Sequence, residues 1–222
     1  MSNSTLATYK KISPNRTSPR NHKIDTITIH CVVGQLSVET IGSIFANKEN
    51  QASSNYGIGY DGKIGMYVEE KDRSWCSSSR DNDHRAITIE VASDAKHPYA
   101  VNDKAYNALI DLLTDICKRN GIKKLLWKGD KSLIGKVDKQ NMTVHRWFAA
   151  KACPGEYLYS RHGEIAKEVN ERLSGKEKTS LEKDIDVLTK KGIINTPEYW
   201  EKEAPKVKYL PELIGKMAKA LK

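Results

Sequence analysis

Long hydrophobic runs are absent from this sequence of 222 residues. No stretch approaches the roughly 20 consecutive apolar residues that a membrane-spanning helix requires. The first 23 residues also lack the apolar core, about 7 to 15 residues long, of a secretory signal peptide. Hydrophobic residues make up 38% and charged residues 29% of the chain, which is typical of a soluble globular protein. We therefore expect a protein that is synthesised in the cytoplasm and is neither inserted in a membrane nor anchored to one.

Cysteine is also scarce, and the four residues present are Cys31, Cys76, Cys117 and Cys153. They are too few and too widely spaced to form the framework of a disulfide-rich domain. The sequence therefore predicts reduced thiols, one of which is a candidate metal ligand.

Acidic residues are outnumbered by basic ones, 28 to 37, which gives a net charge of +9. A basic protein is attracted to polyanions such as nucleic acid, an anionic membrane surface or an anionic cell-wall polymer. The lysines are scattered, however, and the chain has neither an RNA-binding aromatic motif nor a zinc-finger signature. The composition therefore argues against a dedicated nucleic-acid-binding protein.

The hydrophobic pattern alternates between strands and helices. Residues 24–33 and 86–93 alternate apolar and polar side chains as strands do, and residues 55–69 predict a hairpin around an Asp-Gly turn. Helical spacing follows at residues 37–49 and 102–121. This order predicts an α/β fold with a single central mixed β-sheet flanked by helices.

The chain divides by composition near residue 174. Residues 1–173 are predicted to form the main domain, whose first 22 residues, with four basic side chains, two prolines and no acid, read as an irregular basic arm. Residues 174–179, SGKEKT, are the candidate linker. Residues 180–222 contain three short amphipathic patterns and predict a small all-α module. A module this short rarely folds robustly alone, so we expect it to dock on the main domain, to self-associate or to be supported by a ligand.

The stretch VHRWFAAKACPG, residues 144–155, holds two candidate metal ligands, His145 and Cys153. Zinc binds histidine nitrogen and cysteine thiolate, and hydrolytic zinc sites use three protein ligands with a fourth position open for water. On their own, a histidine and a cysteine eight residues apart are more often structural or accidental than metal-binding. His30, at the end of a predicted strand, is the best-placed third ligand, because ligands gather at strand ends; its alternative is a buried histidine satisfied by a backbone carbonyl.

Taken together, these pieces resemble a known family. The order of His30 after a strand, Tyr56 before an Asp-Gly hairpin, Glu90 closing AITIE, and His145 with KACPG resembles the zinc-dependent N-acetylmuramoyl-L-alanine amidases. This family includes the peptidoglycan recognition proteins and many phage endolysins, and the resemblance covers residues 24–173. One departure is Cys76, which follows Trp75 where many members carry a histidine that lines the substrate cleft. Cys76 is either a packed thiol or a substitute cleft residue.

The resemblance implies a role for each matching position. His30, His145 and Cys153 match the zinc ligands, and Lys151 matches a catalytic lysine. Tyr56 and Glu90 match groups that handle protons in different members, and either could serve here. The chemistry is consistent, since zinc lowers the pKa of bound water to about 7 and a cationic lysine can stabilise the oxyanion of a cleaved amide.

The implied function is zinc-dependent hydrolysis of the amide bond between N-acetylmuramic acid and L-alanine in peptidoglycan. The resemblance favours a phage or prophage endolysin that reaches the wall after the membrane is permeabilised. The alternatives are a non-hydrolytic peptidoglycan-binding protein and a host autolysin or recycling amidase. Peptidoglycan and anionic wall polymers are the expected partners, without nucleic acid or membrane insertion. The C-terminal module is expected to target the wall or to form homo-oligomers.

Overall fold

The computed structural model describes residues 2–175 and 179–221. The chain forms two compact units, Met1–Ser174 and Gly175–Lys222, and each is described by itself. In the described residues, no helix is both long enough and apolar enough to cross a membrane.

The first unit contains eight strands and four α-helices in the described residues. The strands are β1 (Tyr9–Lys10), β2 (Arg16–Thr17), β3 (Thr26–Val33), β4 (Tyr56–Ile58), β5 (Ile64–Met66), β6 (Arg73–Ser74), β7 (Ala86–Ser93) and β8 (Met142–Thr143). The helices are α1 (Val38–Ala46), α2 (Arg80–Arg85), α3 (Asp103–Asn120) and α4 (Gly155–Leu173).

Six of these strands form one mixed sheet in the order β1-β5-β4-β7-β3-β8. Strands β4 and β5 are antiparallel, as the Asp-Gly turn predicts, and the other neighbouring pairs run parallel. The remaining strands, β2 and β6, form a small antiparallel pair. The predicted α/β fold with a central mixed sheet is therefore confirmed.

The two central strands, β3 and β7, divide their side chains between two faces of the sheet. Ile29 pairs with Ile89 and packs into the main hydrophobic core with residues of α3 and α4. The next register position pairs His30 with Glu90. Because successive strand residues point to opposite faces, His30 and Glu90 share the face away from that core.

The N-terminal segment is not the irregular basic arm that the sequence predicts. Strand β1 pairs with β5, and β2 pairs with β6, so this segment joins both sheets. Arg20 is only 6% exposed. Its guanidinium donates hydrogen bonds to the carbonyl oxygens of Glu70, Asp72, His84 and Ala86 at 2.7–3.1 Å. The prediction failed because a buried arginine held by backbone carbonyls has no local sequence signature.

The second unit contains three α-helices in its described residues, α5 (Ser180–Lys190), α6 (Pro197–Glu203) and α7 (Leu210–Ala220). A capping box between Thr179 and Glu182 begins α5, and Pro197 lies at the first turn of α6. A small core of Ile185, Leu188, Ala204, Ile214 and Ala218 joins the helices. The three short helices that the sequence predicts for residues 180–222 are therefore present in the described residues.

Candidate metal centre

The structure brings the three predicted ligands together. His30 lies near the end of β3, His145 follows β8, and Cys153 precedes α4. Strand β8 runs parallel to β3. The chain that follows β8 and carries His145 therefore emerges at the same end of the sheet as His30. One ligand atom from each residue lies within 4.8 Å of the others, and Cys153 Sγ is 3.3 Å from His30 Nδ1.

Burial keeps both imidazoles in the form that binds metals. It lowers the pKa of the fully buried His30 to about 3. Burial, with the nearby positive charge of Lys151, also lowers the pKa of His145. A hydrogen bond with the Cys31 thiol and burial raise the pKa of Cys153 well above its usual value. Zinc prefers nitrogen and sulfur ligands, and it ionises a thiol that coordinates it. The two neutral imidazoles and the Cys153 thiol therefore fit zinc.

His145 is oriented by Ser78, a residue that the sequence reasoning missed. Ser78 Oγ lies 2.9 Å from His145 Nε2, so a hydrogen bond between them restrains the orientation of the imidazole ring. Ser78 has a left-handed backbone, with φ of 62°. The available signal was the run of three serines, residues 77–79, between two strands.

The loop that carries Ser78 is fixed on both sides. The buried Asp83 carboxylate accepts hydrogen bonds from the backbone nitrogens of Cys76 and Ser77, at 3.0 and 3.1 Å, and from Ser77 Oγ at 2.6 Å. Ser79 caps the N-terminus of α2. The left-handed Ser78 is therefore held between two anchored neighbours.

Glu90 lies beside this cluster. Its Oε1 is 3.9 Å from His30 Nδ1 and 3.9 Å from Cys76 Sγ. Its Oε2 is buried and has no hydrogen-bond partner among the described residues. Burial, with a smaller contribution from Cys31, raises the pKa of Glu90 to about 8. Cys76 thus contacts the carboxylate of the site, and His30, Cys76 and Glu90 form a second ligand group that shares His30 with the first.

Lys151 is exposed and lies close enough for its charge to act on His145. Its backbone nitrogen donates to the Ala149 carbonyl oxygen at 2.8 Å. Among the described residues, no hydrogen bond or ion pair holds its ammonium group. The side chain is therefore free to reach a substrate at the cluster.

Tyr56 is not brought to the site. It pairs with Ile89 and so points to the face opposite Glu90. Its hydroxyl donates to Glu70 Oε1 at 2.7 Å and accepts from the Ser4 backbone nitrogen at 2.8 Å. The predicted proton-handling role of Tyr56 is therefore wrong. The distance in sequence from Tyr56 to the Asp-Gly turn does not determine which face of the sheet its side chain occupies.

A mixed sheet carries two histidines and a cysteine beside a carboxylate and an exposed lysine, and this arrangement is typical of hydrolases that use a metal. A sequence model of N-acetylmuramoyl-L-alanine amidase matches residues 20–156. This match spans more than half of the chain, and the chain belongs to the N-acetylmuramoyl-L-alanine amidase family.

Solved structures share the fold at low sequence identity. A selenomethionine derivative of AmpD is 19% identical with a TM-score of 0.54, covering 73% of this chain and 96% of its own. PlyL is 17% identical with a TM-score of 0.53, covering 72% and 95%. The endolysin N-acetylmuramoyl-L-alanine amidase LysCS from Clostridium intestinale URNW is 17% identical with a TM-score of 0.51, covering 74% and 93%. No curated protein sequence matches the chain.

Proposed function

We propose that this chain is a zinc-dependent amidase that cleaves the bond between N-acetylmuramic acid and L-alanine in peptidoglycan. Family membership over residues 20–156 supports the reaction. The observation that carries the proposal is the convergence of His30, His145 and Cys153 within 4.8 Å. Glu90 lies beside them, and its Oε2 has no hydrogen-bond partner among the described residues.

His30, His145 and Cys153 are the residues that would hold zinc. When bound, zinc lowers the pKa of a coordinated water and polarises the substrate carbonyl. Burial raises the pKa of Glu90 to about 8, so Glu90 can hold a proton at Oε2 and pass it to the leaving nitrogen. Lys151 can donate from Nζ to the oxyanion that develops on the substrate carbonyl, an effect worth about 3 kcal/mol where water is excluded.

Digestion of purified sacculi tests this reaction. The expected products carry new L-alanine amino termini without new reducing sugar ends, which mass spectrometry distinguishes. The Glu90→Gln protein is the matched control and should release far less. Binding of sacculi without any product would favour the non-hydrolytic recognition protein, and new reducing ends would mean glycan cleavage; either result refutes the amidase.

We also infer an endolysin role, in which the enzyme reaches the wall once the membrane is permeabilised. One similar structure, LysCS, is named an endolysin. A host autolysin or recycling amidase would cleave the same bond. A neighbouring gene for a holin-like membrane protein is expected for the endolysin, and a host wall-maintenance operon would contradict it.

Residues 180–222 are proposed as a wall-targeting or oligomerising module that follows the catalytic unit of residues 1–173 in the chain. Of the predicted linker 174–179, residues 176–178 lie outside the described residues. Support comes from large apolar side chains exposed on this unit, including Tyr209 at 67% and Leu213 at 53%. Exposed apolar groups of this kind mark contact surfaces when they cluster.

A further inference from the structure

One exposed segment of the first unit is rich in lysine. Residues 123–139 carry six lysines and two aspartates, a net charge of +4 in 17 residues. All six lysines are exposed, and none forms an ion pair with another described residue. We call them the basic strip: Lys123, Lys124, Lys128, Lys131, Lys136 and Lys139.

Buried amide side chains fix the backbone of this segment. Gln140 Oε1 accepts from the backbone nitrogens of Lys128 and Asp130, at 3.0 and 3.2 Å. Asn141 Oδ1 accepts from Leu126 N at 2.7 Å, and Asn141 Nδ2 donates to the Lys124 carbonyl oxygen at 2.9 Å. The strip is thus presented on an ordered backbone, which reduces the entropy lost when a ligand binds.

A groove of about 680 Å³ runs between this segment and α4. Its walls include Leu125 and Ala166, and Lys123, Lys124 and Lys128 contribute to its lining. Asn170 of α4 links the two walls of the groove. Its Oδ1 accepts a hydrogen bond from Leu125 N at 2.7 Å, and its Nδ2 donates one to the Leu125 carbonyl oxygen at 2.8 Å. A second groove of about 310 Å³ shares Lys123 and Lys124.

A stacked pair of tryptophans lies between the groove and the turn that carries His145. The Trp127 ring, which lines the groove, stacks on Trp147 with centroids 5.1 Å apart and an angle of 3°. Trp147 lies two residues after His145. The Trp127 ring also lies 4.5 Å from the His162 ring. A polymer in the groove would therefore be separated from the turn that carries His145 by the Trp127 side chain.

We propose that the basic strip and its groove bind a phosphodiester-linked anionic polymer of the cell wall, which holds the enzyme on its substrate. The proposal rests on the proposed function. Lysines bind phosphate as point charges and need no particular fork geometry, which suits a repeating and mobile polyanion. Single-stranded nucleic acid requires free aromatic faces for its bases, whereas Trp127 is already stacked within the protein.

The test compares two triple variants of the full chain with equal net charge. K123Q/K124Q/K128Q alters the strip, and K48Q/K96Q/K104Q neutralises three exposed lysines elsewhere. Each is sedimented with intact sacculi and with sacculi stripped of phosphodiester polymers by hydrofluoric acid, at several salt concentrations. We expect the strip variant to bind intact sacculi at least tenfold more weakly than wild type, and the control variant within about twofold. On stripped sacculi, all three proteins should bind equally.

Three results would overturn the proposal. Equal losses in the two variants would mean that only net charge matters. Unchanged wild-type binding after stripping would exclude the polymer. Displacement from intact sacculi by single-stranded nucleic acid, but not by free phosphodiester polymer, would identify a different partner. Release of N-terminal alanine from stripped sacculi is measured in parallel, and its absence in wild type would refute the amidase reaction without bearing on polymer binding.

Discussion

At the scale of single residues, the sequence identified the ligand candidates better than the groups around them. His30, His145 and Cys153 could be chosen because a strand end and the KACPG motif are local features. Ser78 could not, because its contact with His145 crosses 67 positions. The predicted role of Tyr56 was wrong because neighbouring residues of a strand point to opposite faces of the sheet, and the sequence did not show which face Tyr56 occupies.

Ser78→Ala is expected to weaken zinc binding by about 10- to 100-fold, because His145 loses the partner that fixes its ring. Competition with a chromophoric chelator measures the affinity. Ser78→Thr retains the hydroxyl and should restore most of it. Ser160→Ala, which removes an exposed serine of α4, is the control, and equal affinities for all these proteins would contradict the role of Ser78.

Lys151→Ala is expected to retain zinc but to lower kcat by about 10²- to 10³-fold, since the oxyanion loses a donor. Steady-state kinetics together with metal analysis of the purified variant separate the two effects. Loss of zinc from this variant would indicate that Lys151 has a structural role instead.

At the scale of elements, the central strands and long helices follow from sequence periodicity, but the N-terminal strands do not. β3, β7 and α3 are long enough for alternation or helical spacing to be visible. β1 and β2 have two residues each, and they exist because neighbouring strands and the buried Arg20 hold them. Their structure is set by long-range hydrogen bonds that no local pattern encodes.

Arg20→Gln is expected to destabilise the fold by about 3 kcal/mol, because buried carbonyl oxygens lose their donors. Urea unfolding monitored by tryptophan fluorescence measures the change. Lys23→Gln removes a nearby exposed charge and should change the stability by less than about 0.5 kcal/mol. A similar small effect for Arg20→Gln would show that the N-terminal segment contributes little to the fold.

At the scale of the whole molecule, activity should depend on metal. Chelation is expected to abolish the release of N-terminal alanine, because three ligands without zinc cannot activate water. Added zinc should restore it, and the circular dichroism spectrum recorded alongside shows whether the fold persists. Full activity in a sample proven free of metal would contradict the zinc mechanism.

The two compact units lead to a further expectation. A chain that ends at Ser174 should cleave a soluble muramoyl-peptide at the wild-type rate, because every proposed site residue precedes that point. Circular dichroism checks its folding. A folded but inactive truncation would show that residues 175–222 contribute to the reaction.

The pairing of β8 with β3 also determines when the site can form. His30 and Cys153 are separated by 123 positions, and closing so long a loop is slow compared with forming helices or hairpins. During synthesis, the first ligand leaves the ribosome long before the last one. The nascent chain would therefore lack the full set of candidate ligands until the catalytic unit is nearly complete, and binding of the proposed metal would be a late step that requires correct assembly of the sheet.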